Sequence, residues 1–358
     1  MTHDRHAPPR TWALLGQKAG DNHQVLALAD ALGWPYEVRE IRNHPWELAT
    51  NVLAGTRLWG TDRRRSTPLL PPWPELVLSA GRRNEPVARW LRRQSGGRAR
   101  LVHIGRPWAP LATFDLIVTT PQYFLPEAAN VLHCRLPLHR IDPERARSAA
   151  AVLEPELAAL PRPRTLVLLG GDSGPFVFTA DKARRLARLV DELVVAEGGT
   201  VLATDSRRTP AAASAAFRAA LRTPCRFFAW GDPGPSRYLA LLGAADRLVL
   251  TAESMSMLTE ALAMTKPLHL FALHDTGRWW RRAHNWRIKP LSHRLAMAFG
   301  PRRMRRDVMR ILELAVAEDR ARWLGEPPPP AVEPAPPIAA PEADLDRAAQ
   351  RVRALFGL

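Results

Sequence analysis

With 358 residues and 46% hydrophobic content, the chain is long enough for two ordinary domains and has the apolar fraction of a globular protein. No window approaches the roughly 18 uninterrupted apolar residues of a membrane span, and the only cysteines, Cys134 and Cys225, lack a C-x-x-C partner, which excludes a disulfide framework and a structural zinc site. The formal net charge of +16 is unevenly placed, since Thr276 to Arg306 holds ten Lys/Arg and no Asp/Glu.

Short apolar runs alternate with helical patterns along the chain, the signature of β-α-β units and a parallel sheet. TWALLG opens the first unit; the polar loop QKAGDNHQ follows, then a helix with Val25, Leu28, Ala29 and Leu32 on one face. ELVLSAG (75–81), RLVHIG (100–105) and FDLIVTT (114–120) read as further strands, with PVARWLRR helical after the first of them. This first domain is expected over 11–140, and both cysteines are expected as buried thiols.

Asp142 to Leu160 reads as helical, and Pro161-Arg162-Pro163 marks a boundary. The same grammar restarts in a second domain over 161–325. TLVLLGG (165–171) is a strand, Thr179 caps a helix, and GGTVLAT (198–204), CRFFAW (225–230), DRLVLTA (246–252) and PLHLFAL (267–273) complete the set. Over 276–306, Trp279, Trp280, Trp286, Leu295 and Phe299 are interleaved with Arg281, Arg282, Arg287 and Lys289. That mixture suits either an anionic membrane surface or a plain basic face. No helix-turn-helix, zinc-finger or RNP-like pattern accompanies it, so a nucleic acid partner is not expected. Eight prolines within 327–341 predict an extended connector, placed at 326–341. Leu345, Ala348, Ala349, Val352, Leu355 and Phe356 then predict a final helix, over 342–358, that docks on the folded body. MTHDRHAPPRTWALLG has no apolar h-region, so a cytoplasmic location is expected, peripheral to the inner membrane if the basic segment binds lipid.

In parallel α/β sheets, ligands bind beyond the carboxyl ends of strands. Three polar clusters of the second half lie there. Gly170-Gly171-Asp172-Ser173-Gly174 would let backbone N–H groups approach a phosphate, or is simply a tight turn. Ser206-Arg207-Arg208-Thr209 offers guanidinium forks and hydroxyls before Pro210, which can begin a helix; the alternative is a surface Arg pair. Glu253-Ser254-Met255-Ser256-Met257 enters a helix with Ser254 or Ser256 as N-cap and Glu260 one turn in, where a carboxylate can take hydrogen bonds from ribose hydroxyls. The plainer alternative is an exposed helical Glu favoured by the macrodipole. Three clusters on three strand ends fit one nucleotide-sugar, bound as donor substrate with no other cofactor and no metal. In the first half, Gly16 to Gln24 includes Gly16, Gly20, Asp21 and His23 and is neither a Walker A loop nor G-x-G-x-x-G. Asp21 and His23 are its acid/base candidates, with an N-cap and a solvated histidine as their alternatives. Gly81-Arg82-Arg83-Asn84 repeats the design.

The blocks Gly16 to Gln24, Gly81-Arg82-Arg83, Phe114-Asp115-Leu116, Leu169-Gly170-Gly171, Ser206 to Pro210 and Glu253 to Met257 with Glu260-Ala261 resemble the mitochondrial-fission ELM family in consistent order over residues 11–273. Bacterial members often carry the label of nucleoside-diphosphate-sugar epimerase. The resemblance implies a divergent GT-B glycosyltransferase-like fold: α/β, two Rossmann-like domains facing a cleft, the donor held mainly by the second. Glu253 stands where the family has Asp, Asp205 where Thr is usual, and Pro121-Gln122-Tyr123 lacks a His-Asp pair. Tyr36, Tyr123 and Tyr238 are followed four residues on by Glu40, Glu127 and Leu242, so the Tyr-x-x-x-Lys pair of short-chain epimerases is absent. The expectation is a metal-independent glycosyltransferase with a nucleotide-sugar donor and an acceptor that is lipid-linked at the membrane surface, Asp21 or His23 taking the acceptor proton. The rival expectation is a catalytically silent peripheral membrane adaptor of the ELM type.

Overall fold

A computed structural model describes residues 7–44, 56–233, 237–275, 289–302, 305–326 and 341–358. The indoles and most arginines of the basic segment, including Arg281, Arg282, Arg287 and Arg303, and the proline-rich stretch 327–340 lie outside the described residues. The chain divides into two compact units. Unit 1 comprises residues 1–140, 300–307 and 339–358, and unit 2 comprises 141–299 and 308–338.

Unit 1 runs β1 (Thr11–Leu15), α1 (Ala19–Leu32), β2 (Tyr36–Glu40), β3 (Leu76–Ala80), α2 (Gly81–Gln94), β4 (Arg100–Ile104), β5 (Leu116–Thr119) and β6 (Val131–His133). Its sheet is parallel, in the order β2-β1-β3-β4-β5-β6. Alternate residues of the strands feed two cores, as a sheet covered on both faces requires. Ala13, Leu76, Leu78 and Val102 meet Val25, Leu28 and Leu32 of α1, whereas Trp12, Leu14, Val77 and Leu101 meet Val87, Ala88 and Leu91 of α2. Because β2 and β3 lie on opposite sides of β1, the strand order reverses between β1 and β3.

Unit 2 opens earlier than the Pro161-Arg162-Pro163 punctuation predicted. The helices α3 (Pro143–Ala150) and α4 (Glu154–Leu157) belong to it. It continues as β7 (Arg164–Leu168), α5 (Ala180–Glu197), β8 (Thr200–Thr204), α6 (Ala211–Ala220), β9 (Cys225–Phe228), α7 (Tyr238–Ala244), β10 (Arg247–Thr251), α8 (Met255–Ala263), β11 (Leu268–Phe271), α9 (Lys289–Phe299), α10 (Met309–Ala317) and β12 (Arg322–Trp323). A Cβ on Gly243 of α7 would stand 1.9 Å from the Ala146 carbonyl oxygen of α3, so glycine lets these two helices touch backbone to backbone. The sheet order is β12-β11-β10-β7-β8-β9, again parallel, and it reverses between β7 and β10. Thr179 Oγ1 accepts from Lys182 N at 3.3 Å, the cap that the sequence predicts for α5. Cys134 is buried as expected, but Cys225 is exposed, because β9 is the edge of its sheet.

The last helix, α11 (Pro341–Ala354), packs in unit 1 against α1. Ala348, Ala349 and Val352 are buried there, with Leu345, Leu355 and Phe356 packed alongside. Arg353 Nη2 donates to the carbonyls of Ala31 (2.9 Å) and Leu32 (3.2 Å), satisfying the last turn of α1. Asp344 Oδ2 accepts from Arg135 N at 2.6 Å. The segment 300–307 also belongs to unit 1, a departure from the expectation that all of 161–325 is one domain.

Candidate functional site

In unit 2 the three polar clusters converge where the strand order reverses. Gly170 N donates to Thr251 Oγ1 at 2.8 Å and Gly171 N to Glu253 Oε1 at 2.7 Å, so the loop after β7 is bound to the loop after β10. The loop after β8 joins them: Thr209 Oγ1 donates to the carbonyls of Leu169 and Gly170, and Arg208 Nη2 reaches Ser254 Oγ at 3.3 Å and stands 3.8 Å from Glu253 Oε1. A Cβ on Gly170 would lie 1.9 Å from Glu253 Oε1, and one on Gly171 would lie 2.1 Å from the Arg208 carbonyl oxygen. Both glycines are therefore needed for segments of the chain itself to approach.

Glu253 is 3% exposed. Burial raises its carboxyl above the ordinary value, against Arg208 and the Gly171 amide. Ser206 N and Oγ are bonded to Thr209 Oγ1, and Ser206 Oγ accepts from Arg208 N at 3.3 Å, so the hydroxyls stiffen a turn in which Arg207 and Arg208 are exposed. Asp172 Oδ1 accepts from Phe178 N at 2.9 Å, and Ser173 pairs with Phe176 through backbone bonds, closing a turn with Gly174 at φ +56.

Ser254 occupies the N-cap position of α8, but its side chain makes no capping bond, so the first amides of α8 have no side-chain cap. Ser256 lies inside the helix, Met255 is buried in the core, and Met257 is half-buried. Glu260 Oε2 accepts from Tyr238 Oη of α7 at 2.8 Å. Burial lifts this carboxyl to about 7, with the Tyr238 bond pulling the other way.

In unit 1 the loops after β1 and β3 meet in the same manner. Asn22 clasps Gly16 through Oδ1 and Nδ2 (2.8 and 2.9 Å), and Arg83 Nη1 donates to Gln17 Oε1 at 3.3 Å. Asp21 stands 3.8 Å from Lys18 Nζ, and its Oδ2 would be 2.5 Å from a Cβ on Gly81, whose φ is +70. Gly20 lies in the first turn of α1, with its carbonyl accepting from Gln24 Nε2 at 3.3 Å. Partial burial and the charge of Arg140 lower His23 below the ordinary imidazole value, leaving it neutral at pH 7.

The family profile described as mitochondrial fission ELM1 matches residues 19–299, more than half of the chain. The chain belongs to the mitochondrial fission ELM1 family. It is 28% identical over 230 residues to the mitochondrial fission protein ELM1 of Arabidopsis thaliana, covering 58% of this chain and 53% of that one, so the match spans about half of that relative's length. It is 23% identical over 301 residues to an uncharacterised protein of Rickettsia prowazekii, covering 73% and 82%. Among solved structures, the UDP-GlcNAc 2-epimerase of Methanocaldococcus jannaschii is similar, with a TM-score of 0.50, 10% identity, and 97% and 99% coverage. The ELM1-family chain thus has the GT-B class of fold, two parallel-sheet α/β Rossmann-like domains.

Set on this ELM1-family fold, the residues singled out in the sequence separate into two groups. The amides of Gly170 and Gly171 do not face outward for a phosphate as expected, because Thr251 and Glu253 accept them, and that of Gly16 is accepted by Asn22. Glu253, Thr209, Asp172 and Ser173 brace the same loops, and Met255 is core. Arg208 and Ser254 meet at the convergence, Arg207 is exposed in the loop after β8, and Ser256, Met257 and Glu260 follow along α8, where Glu260 is bonded to Tyr238. Tyr238, the partner of Glu260, was not expected; its signal, a lone tyrosine at the start of a helix, does not distinguish it.

Proposed function

We propose that this chain is a glycosyltransferase that holds a nucleotide-sugar donor on unit 2 and passes the sugar to an acceptor that is lipid-linked. The observation that carries the reading is the meeting of the β7, β8 and β10 loops at the reversal of strand order, the place where α/β sheets bind ligands. Arg207 and Arg208 would hold the diphosphate and neutralise it as it leaves, with the first amides of α8 adding to the same field. Glu260, fixed by Tyr238, would take hydrogen bonds from ribose hydroxyls. On unit 1, neutral His23 or Asp21 would take the acceptor proton. A protein of similar fold is named for a UDP-sugar substrate, which agrees with the donor class. The test is acceptor-dependent release of nucleoside diphosphate from a panel of nucleotide-sugars, with a membrane extract as acceptor source. Release from at least one donor, reduced tenfold or more in Arg208→Ala, is expected; release from none would overturn the reading.

One observation favours the adaptor reading as a second. Leu295 and Phe299 of α9 are 50% and 84% exposed, and no described helix is long and apolar enough to cross a membrane. A helix that shows such side chains beside basic residues suits the surface of an anionic bilayer. Sedimentation with anionic vesicles, lost in the Leu295→Ser/Phe299→Ser double variant while nucleotide-sugars fail to bind, would favour it.

A further inference from the structure

Unit 1 carries a concentration of positive charge at its own reversal of strand order, and the residues come from distant parts of the chain. Lys18 follows β1, Arg82 and Arg83 begin α2 directly after β3, and Arg106 follows β4. The fifth cation, Arg306, arrives from the segment 300–307, more than a hundred residues later in the sequence than any of the others. Its Nε donates to Gln122 Oε1 at 2.8 Å, Asp307 N donates to the Gln122 carbonyl at 2.9 Å, and Gln122 is only 3% exposed. Arg106 Nη1 secures the same segment by donating to the carbonyls of Arg302 and Arg305. The guanidiniums of Arg106 and Arg306 both lie over the Tyr123 ring, 5.8 and 5.7 Å from its centre, and that of Arg82 lies over Trp108 at 5.2 Å.

Glu85 holds the Trp108 loop by accepting from the amides of Trp108 (2.6 Å) and Ala109 (2.8 Å). The crowding is electrostatically unfavourable: Asp21 supports the charge of Lys18, yet burial with Arg306, Arg82 and Arg83 outweighs it and lowers the ammonium below its ordinary value. Burial first, then Arg306 and Arg82, push Arg106 down to about 10 despite Tyr123. Positive charges gathered at one end of a sheet make a favourable field for an anion. One further feature points to a ligand. The helices α1 and α2, each of 14 residues, start here without a side-chain cap.

We infer that Lys18, Arg82, Arg83, Arg106 and Arg306 form a binding site for a phosphate group on unit 1, built from none of the residues of the donor site proposed on unit 2. The chemistry asked for is a phosphate monoester or diphosphate, because forked guanidiniums and helix amides match its oxygens. The group could be carried by a soluble molecule or by a lipid headgroup. The inference does not depend on sugar transfer, since it stands on unit 1 alone.

Titration of the full chain with inorganic phosphate, against potassium chloride at matched ionic strength, tests it. Saturable binding beyond the chloride control is expected, weakened at least tenfold in Arg82→Gln and in Arg306→Gln and largely retained in Arg82→Lys. Thermal melts of each variant check folding, and a nucleotide-sugar titration of the same variants should be unchanged. A wild-type response no greater than that to chloride would overturn the site, as would full binding in both glutamine variants, whatever the nucleotide-sugar result. Vesicles of phosphatidylcholine with and without phosphatidic acid identify the source. Phosphate-displaceable binding to phosphatidic acid that Arg82→Gln abolishes assigns a lipid headgroup, whereas phosphate binding without vesicle binding assigns a soluble ligand; each supports the site.

Discussion

The amide of Gly171 donates to the buried carboxyl of Glu253 at 2.7 Å, and no side chain can be added to Gly171 without striking the Arg208 carbonyl. One residue thus joins the ends of β7, β8 and β10. Gly171→Ala should therefore lose about 3 kcal/mol of stability, the scale of overpacking a rigid site. Chemical denaturation checks it, and a loss below about 0.5 kcal/mol, the range of an ordinary surface substitution, would show that the loops do not meet as described.

Glu260 should make stability depend on pH. Its carboxyl is raised from 4.5 to about 7 in the folded chain. The folded state therefore keeps a proton that the unfolded state has lost, and the stabilisation from this group is complete below about pH 4.5 and is lost as pH rises through about 7. Glu260→Gln, which still accepts from Tyr238, should be more stable than wild type above pH 7, by on the order of 2–3 kcal/mol, and should converge with it near pH 4.5. Tyr238→Phe should shift the transition upward, since the lost bond favours the ionised form. Denaturation across pH reads both, and parallel curves for wild type and Glu260→Gln would contradict the burial of this carboxyl.

The C-terminal helix is part of unit 1. Val352 is fully buried against α1 and the sheet core. Val352→Asp places an unpaired carboxylate there and should cost at least about 3 kcal/mol, with the helix released to proteolysis. Unchanged resistance would show that α11 is dispensable.

Gly243→Ala tests where unit 2 begins. Because its Cβ would meet the Ala146 backbone, the substitution should separate α7 from α3 and expose 143–157 to limited proteolysis at lower temperature than in wild type. If the cleavage pattern is unchanged, α3 is not packed on α7.

Most strands were legible because they are buried on both faces and read as continuous apolar runs, as in LVLSA and RLVLT. The missed ones have physical reasons. β2, YEVRE, is an edge strand whose one aliphatic residue, Val38, is 40% exposed, and β6 and β12 are only three and two residues long. The locations of the polar clusters followed from strand ends, but their roles did not. A glycine after a strand permits a close approach without saying whose, and at Gly170 and Gly171 the approaching atoms belong to Glu253 and Arg208. The Pro-Arg-Pro boundary was readable as local punctuation, whereas the packing of α3 on Gly243 is a contact between distant residues. Arg306 beside Gln122 is non-local in the same sense: no pattern within 300–307 states that it lies at the end of β5.

The central claim, a nucleotide-sugar site on unit 2, is tested most directly by calorimetric titration of the full chain with a panel of uridine-, adenosine- and guanosine-diphosphate sugars. Saturable binding of one member at one per chain is expected, weakened about tenfold or more in Arg208→Ala by the loss of a charge-assisted contact. Heats indistinguishable from dilution for every member, with a wild-type chain shown to be folded, would contradict it.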